Sequence, residues 1–329
     1  MKASLQTLCD SFIENRDLVK SVFRMESNYI YPLCANLFCV KGQKADRERL
    51  ISAREVIRSQ TGIFSNFRGH LQSILSSVLA MEDRPEEFMD RCVNNYQLLK
   101  QYFWGSDHLA LAAFLTAAMD DTADLEEKAA RGKSIYRLMK QEHPFLTASE
   151  DSVFAVMMAF SPKSDEALIQ DMESCYRLLR ERFLDSNSVQ TVSHVLALAE
   201  GEPEEKTRRV LDLYDALLAA GSRYGRNYEL AALAALAALP VETDALAGDM
   251  MDVEAFLSGQ KGYGFFGLGR RIRLMHAAMI VSDEYAPRGE MDTAATAGTL
   301  SMIAAQEMAA CAIICATSAT AATAASSNS

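Results

Sequence analysis

The chain has 329 residues, 49% hydrophobic and 23% charged, with only 16 Gly and 7 Pro, which excludes a collagen-like, low-complexity or disordered polypeptide. Lys and Arg number 33 against 44 Asp and Glu, and the net charge of −11 offers no general basic field for nucleic acid or anionic lipid. Length alone allows two ordinary domains or one elongated array.

Residues 1–40 open with Leu5, Leu8, Phe12, Ile13 and Leu18 interleaved with Asp10, Glu14, Arg16 and Asp17. This is an amphipathic helix rather than the unbroken apolar core of a signal peptide, and the segment reads as a helical cap. Ala45 to Gln60 and Arg68 to Met81 then form a degenerate first helix pair.

A period appears next. Tyr96, Leu98, Leu99 and Lys100 recur as Tyr136, Leu138, Met139 and Lys140, and again as Tyr176, Leu178, Leu179 and Arg180, at intervals of 40 residues. A looser copy starts at Tyr214 with Leu217 and Leu218. Pro85, Pro162, Pro203 and Pro240 follow a similar spacing, each ahead of acids: Glu86 and Glu87, Asp165 and Glu166, Glu204 and Glu205, Glu242 and Asp244. Pro in the first turn and carboxylates at the positive end of the helix dipole mark helix starts. The copy without Pro keeps Asp120, Asp121, Asp124 and Glu126.

Apolar stretches lie between each Tyr helix and the next acidic start: Leu109 to Met119, Val153 to Phe160, Val189 to Ala199 and Leu230 to Leu239. Each period is therefore a helical hairpin with one amphipathic and one buried member. The expected fold is all-α: an α-solenoid of HEAT or armadillo kind, with a cap at 1–40, the array at 41–258, and a Gly-rich loop with C-terminal helices packed on it at 259–329, all one continuous domain. No strand-like alternation argues for a sheet.

Gly262, Gly264 and Gly267 formally satisfy a dinucleotide-type glycine spacing, but a helix rather than a strand precedes them. Tyr263, Phe265 and Phe266 on this loop, followed by Arg270, Arg271 and Arg273, allow two readings. One is a turn whose aromatics plug the end of the array, which the composition favours; the other is a lid or anion site at a helix N-terminus. His70, His108, His143, His194 and His276 share no repeat column, and none pairs at metal-ligand spacing, so no metal, cofactor or catalytic set is expected. Asp107 with His108 is a pair to test for a displaced pKa. The seven cysteines are scattered through apparent helices, which fits buried thiols in a reducing cytoplasm. Thr293 to Ala325 is Ala-rich and interrupted only by Gln306 and Glu307; it reads as a docking helix, with membrane contact or self-association as the alternative.

The Tyr-Arg-Leu helices, the run Gly264, Phe265, Phe266, Gly267 before Arg271, the following Ala277, Ala278 and Met279, and the Ala-rich C-terminal helix together resemble an uncharacterised bacterial family of helical proteins known only as a domain of unknown function. The resemblance implies a bacterial cytoplasmic setting and assigns no residue a role. The expected function is a non-enzymatic scaffold for a protein or peptide partner, of basic character given the net charge, and not for nucleic acid. The alternative is an enzyme or small-ligand binder with a pocket between helix layers, using Asp107, His108 and Arg271. A membrane-associated adaptor through residues 293–325 is the third reading.

Overall fold

The computed structural model describes residues 1–24, 26, 28–69, 71–118, 124–264 and 267–285. His70, Asp120, Asp121, Phe265, Phe266, Cys311, Cys315 and the stretch Thr293 to Ala325 lie outside the described residues. Within them the chain is all-helical, with 14 α-helices, one short 3-10 turn and no strand. It forms two compact units. Ser11–Phe160 make the N-terminal unit; Met1–Asp10 and the described residues from Ser161 onward make the C-terminal unit.

In the N-terminal unit α1 (Ala3–Val22, from Ser11) is followed by α2 (Ile30–Val40), α3 (Arg47–Gln60), the 3-10 turn Asn66–Arg68, α4 (Gln72–Leu79), α5 (Pro85–Leu99), α6 (Asp107–Ala118), α7 (Leu125–Glu142) and α8 (Asp151–Met158). The charged helices pack on one another, α3 on α5 and α5 on α7. The apolar helices do the same, α2 on α4 and α6 on α8, while α5 pairs with α6 and α7 with α8. Helix starts follow the chemistry expected of them. Asp46 caps α3 by accepting from the Arg49 amide, and Pro85 with Glu86 and Glu87 opens α5. Every residue of α8 is buried. Gly132 permits its approach to α7, since a Cβ there would stand 3.2 Å from the Ala155 carbonyl oxygen and the Val156 Cα.

In the C-terminal unit α9 (Asp165–Arg180), α10 (Ser186–Leu198), α11 (Pro203–Ala219), α12 (Leu230–Ala237), α13 (Thr243–Ser258) and α14 (Arg270–Tyr285) repeat the pattern. The helices α9, α11 and α13 pack in succession, as do α10, α12 and α14. The whole of α12, built only of Leu and Ala, is buried. The first ten residues join this unit: Lys2, just ahead of α1, donates to Asp249 on α13 at 2.7 Å, and Tyr285 of α14 donates to the same oxygen at 2.6 Å.

The last carbonyls of the short buried helices are satisfied by basic side chains from charged helices. Arg131 on α7 donates to the Ala159 carbonyl beyond α8 at 3.0 Å. Arg209 on α11 reaches the Ala237, Leu239 and Val241 carbonyls beyond α12 at 2.6–2.7 Å. A cation against the last carbonyls of a helix both fills their hydrogen-bonding capacity and complements the dipole. Each Arg stands five residues before a repeat tyrosine, Tyr136 and Tyr214. Before Tyr176 that place is taken by Asp171, and there two lysines substitute. Lys163 and Lys206 both bond Asp171 and reach the Ala199 carbonyl after α10.

Three of the four tyrosines that recur along the sequence pack against a phenylalanine ring. Tyr96 meets Phe67 at 5.1 Å, Tyr136 meets Phe103 at 5.8 Å, and Tyr214 meets Phe183 at 5.1 Å between ring centroids, all edge-on.

Candidate functional site

Three loops leave the C-terminal ends of α3, α5 and α7 in the N-terminal unit, and named contacts hold them along one edge. The Tyr96 hydroxyl donates to the Asn66 side-chain oxygen at 2.6 Å, and the Asn66 amide donates to Asp107 at 2.9 Å. The Asp107 carboxylate lies against Gly69, where a Cβ would run into it. Phe103, in the second loop, packs at 87° to the ring of Tyr136 on α7. Tyr136 in turn donates to the Ala148 carbonyl of the third loop at 3.2 Å.

The tips of these loops carry large apolar side chains in water. Ile63 is 79% exposed, Phe64 100%, Trp104 91% and Phe145 96%. Burying one such side chain is worth roughly 1.5–3 kcal/mol, so each leaves that gain unrealised in the isolated protein. Single exposed hydrophobes are ordinary on protein surfaces; four on one edge are a docking signature. Exposed Arg58, Lys100, Arg137 and Lys140 flank them, with Glu142 and Glu150 the exposed acids of the third loop. Lys100 lies over the Tyr96 ring, and Lys133 lies over both Phe103 and Tyr136.

Titratable groups behind the edge are displaced mainly by burial. Burial holds the His108 imidazole below its usual range, opposed by the carboxylates of Glu150 and Asp107. It raises the Tyr96 and Tyr136 hydroxyls and pushes the Asp151 carboxyl up to about 7, although the Ala148 amide donates to that carboxyl at 2.7 Å.

The candidate residues marked by the sequence fall in both units. Asp107 and His108 stand at the start of α6, in the N-terminal unit behind the edge. Tyr263, Arg270, Arg271 and Arg273 belong to the C-terminal unit. The Gly-rich loop turns back on itself through the Leu268 amide, which donates to the Gly262 carbonyl at 2.8 Å. Tyr263 is buried, its hydroxyl 2.7 Å from His276 Nδ1. Arg273 donates to Glu254 and to the Tyr263 carbonyl, both at 2.8 Å, and Arg270 approaches Glu254 at 3.7 Å. Arg271 is exposed. Phe265 and Phe266 lie outside the described residues.

Among the described residues no group of three or more His, Cys, Asp or Glu side chains is placed to hold a metal ion. A cleft of about 400 Å³ in the N-terminal unit is lined by Arg49, Ser52, Leu79, Glu82, Asp83 and Pro85. Its one cation, Arg49, already donates to the Glu82 carbonyl at 2.7 Å. No helix among the described residues is long and apolar enough to cross a membrane.

Sequence reasoning missed Phe64, Trp104 and Phe145 as surface groups. A signal existed: Trp104 and Leu184 each follow a repeat tyrosine by eight residues, and Leu184, in the loop after α9, is 86% exposed in its own unit.

An uncharacterised protein of Bacillus subtilis strain 168, YeaA, is 26% identical over 204 residues, covering 60% of this chain and 62% of YeaA. The match thus spans under two thirds of that relative's length. No solved structure matches the chain. The family described as proteins of unknown function, DUF4003, matches residues 15–308. With the match covering most of its length, the chain belongs to the DUF4003 family of proteins of unknown function.

Proposed function

We propose that the protein is a non-enzymatic scaffold, an α-solenoid-type array of helical hairpins of HEAT or armadillo kind, that works by docking other macromolecules. The observation that carries this reading is the loop edge of the N-terminal unit, with Phe64, Trp104 and Phe145 more than nine-tenths exposed. The array layout draws support from like-on-like helix packing within each unit, charged on charged and apolar on apolar. Docking is favoured over a small-ligand pocket because Tyr263, Arg273 and Asp107 are already engaged by internal partners.

A protein or peptide partner of basic character fits the opposite ends of the same helices, where Glu86, Glu87, Glu126 and Glu127 stand in the first turns of α5 and α7. A cytoplasmic setting fits the buried thiols of Cys9, Cys34, Cys39, Cys92 and Cys175, burial pushing Cys34 and Cys175 up to about 12. A photo-cross-linking residue in place of Trp104 tests the reading in cells. Capture of a defined protein or lipid, and its loss when Phe64 and Phe145 become Ser, is the expected result. A residue 104 that captures nothing under any growth condition would overturn it.

A further inference from the structure

We propose that the loop edge of the N-terminal unit is a docking surface for an anionic membrane. Phe64, Trp104 and Phe145 enter the lipid interface, and Lys100 and Arg137 meet headgroup phosphates. The inference rests on the docking reading above and names its partner.

Shape argues for it first. The three aromatic side chains stand at the tips of three separate loops, 91–100% exposed. A protein partner would need a separate pocket for each ring, whereas a fluid interface accepts all three without any being pre-packed. Residue type argues the same way, since Trp is enriched at the headgroup level and Phe adds apolar depth.

Charge is the third observation. Lys100 and Arg137 are exposed on this edge, Lys140 beside them donates to the Thr147 carbonyl at 2.5 Å, and Lys133 is half-buried behind them. Glu142, Glu150 and the half-buried Asp107 oppose them, which with Arg58 and Lys133 counted still leaves a local positive excess although the whole chain carries −11. Exposed charges are screened beyond about 8 Å at physiological ionic strength. The carboxylates Glu86, Glu87, Glu126 and Glu127 begin α5 and α7, while the edge lies past their far ends, roughly 20 Å or more along the helices. A membrane surface therefore feels the nearby lysines and not the distant acids. The attachment assigned to this edge is made by loop side chains and is peripheral.

Trp104 is the only tryptophan in the chain, so its fluorescence reports this edge alone. The full chain is titrated with phosphatidylcholine vesicles containing phosphatidylglycerol, and with phosphatidylcholine vesicles alone. On the anionic vesicles the emission shifts to the blue, iodide quenching falls and brominated acyl chains quench; neutral vesicles and high salt weaken each effect. Phe64→Ser and Phe145→Ser each weaken partitioning by about tenfold. Lys100→Glu with Arg137→Glu abolishes it, and the two serine variants leave the melting temperature unchanged. Trp104 remaining open to iodide on anionic vesicles overturns the inference, as does partitioning that ignores these substitutions. If vesicles fail while a cross-linker at position 104 captures a protein, the lipid assignment falls and the docking reading stands. If both fail, both fall.

Discussion

Lys206 bonds both carboxylate oxygens of Asp171, at 2.6 and 2.7 Å, joining α11 to α9 at a site where the lysine side chain is almost wholly buried. Lys163 completes the cluster at 2.9 Å. Removing one member of a buried pair strands the other charge, which is far costlier than the pair's own net contribution. Asp171→Ala should therefore destabilise the protein by roughly 3 kcal/mol in urea unfolding. Lys163→Ala, at a more exposed position, should cost about 1 kcal/mol. Equal effects would show that Lys206 is not held as described.

Asp151 predicts a pH dependence with a definite sign. Its folded pKa of about 7 lies above the usual carboxylate value of about 3.9. The folded state therefore binds more protons than the unfolded state between those limits, and stability falls as pH rises from about 4 to 7. Asp151→Asn should match the wild type near pH 4 and exceed it by roughly 2–4 kcal/mol at pH 8. Denaturation at both pH values measures the difference; a constant offset would count against a protonated Asp151.

The Gly-rich loop should fail at its glycine before it fails at its aromatic. A Cβ at Gly267 would run into the Gly262 backbone, which cannot swing aside as a side chain can. Gly267→Ala should cost roughly 2 kcal/mol or more and expose Tyr263. Tyr263→Phe keeps the ring and removes only the bond to His276, for about 1–2 kcal/mol. Thermal unfolding of the two variants ranks them, and the opposite order would contradict the tight turn.

The edge residues should be silent in every stability measurement. Phe64→Ser, Trp104→Ser and Phe145→Ser remove side chains at least 91% exposed, so each should change unfolding free energy by less than about 0.5 kcal/mol. A larger loss would mean that these rings pack inside the isolated protein.

The all-helical class and many helix starts were legible because their signals are local. Pro85 and Pro203 open α5 and α11 as their acidic followers suggest. Tyr96, Tyr136 and Tyr214, which mark the period in the sequence, each pack edge-on against a phenylalanine. The span from Arg68 to Met81 was less regular than a single helix: the 3-10 turn ends at Arg68, whose guanidinium is taken up by Thr61 and neighbouring carbonyls, and α4 begins only at Gln72. The candidate edge was harder to see, because aromatic residues next to helices usually face inward. Only backbone direction after α3, α5 and α7 decides which ring turns out, as Phe103 and Trp104 show by standing side by side at 6% and 91% exposure. Tyr263 is buried, as the plugging reading of the glycine-rich turn has it; what the sequence could not name was its partner, a buried histidine 13 residues on.

The Asp171 substitution also bears on how freely the hairpins of this chain could be exchanged. Arg131 and Arg209 each cap a helix of their own hairpin, so those pairs carry what they need when moved. The α9–α10 pair borrows Lys206 from the following helix, and a chimera that transplants it without Lys206 leaves Asp171 short of its buried cation and the α10 carbonyls without one of their donors. Shuffling, whether by design or by gene duplication, would have to treat α9 through the start of α11 as one indivisible cassette.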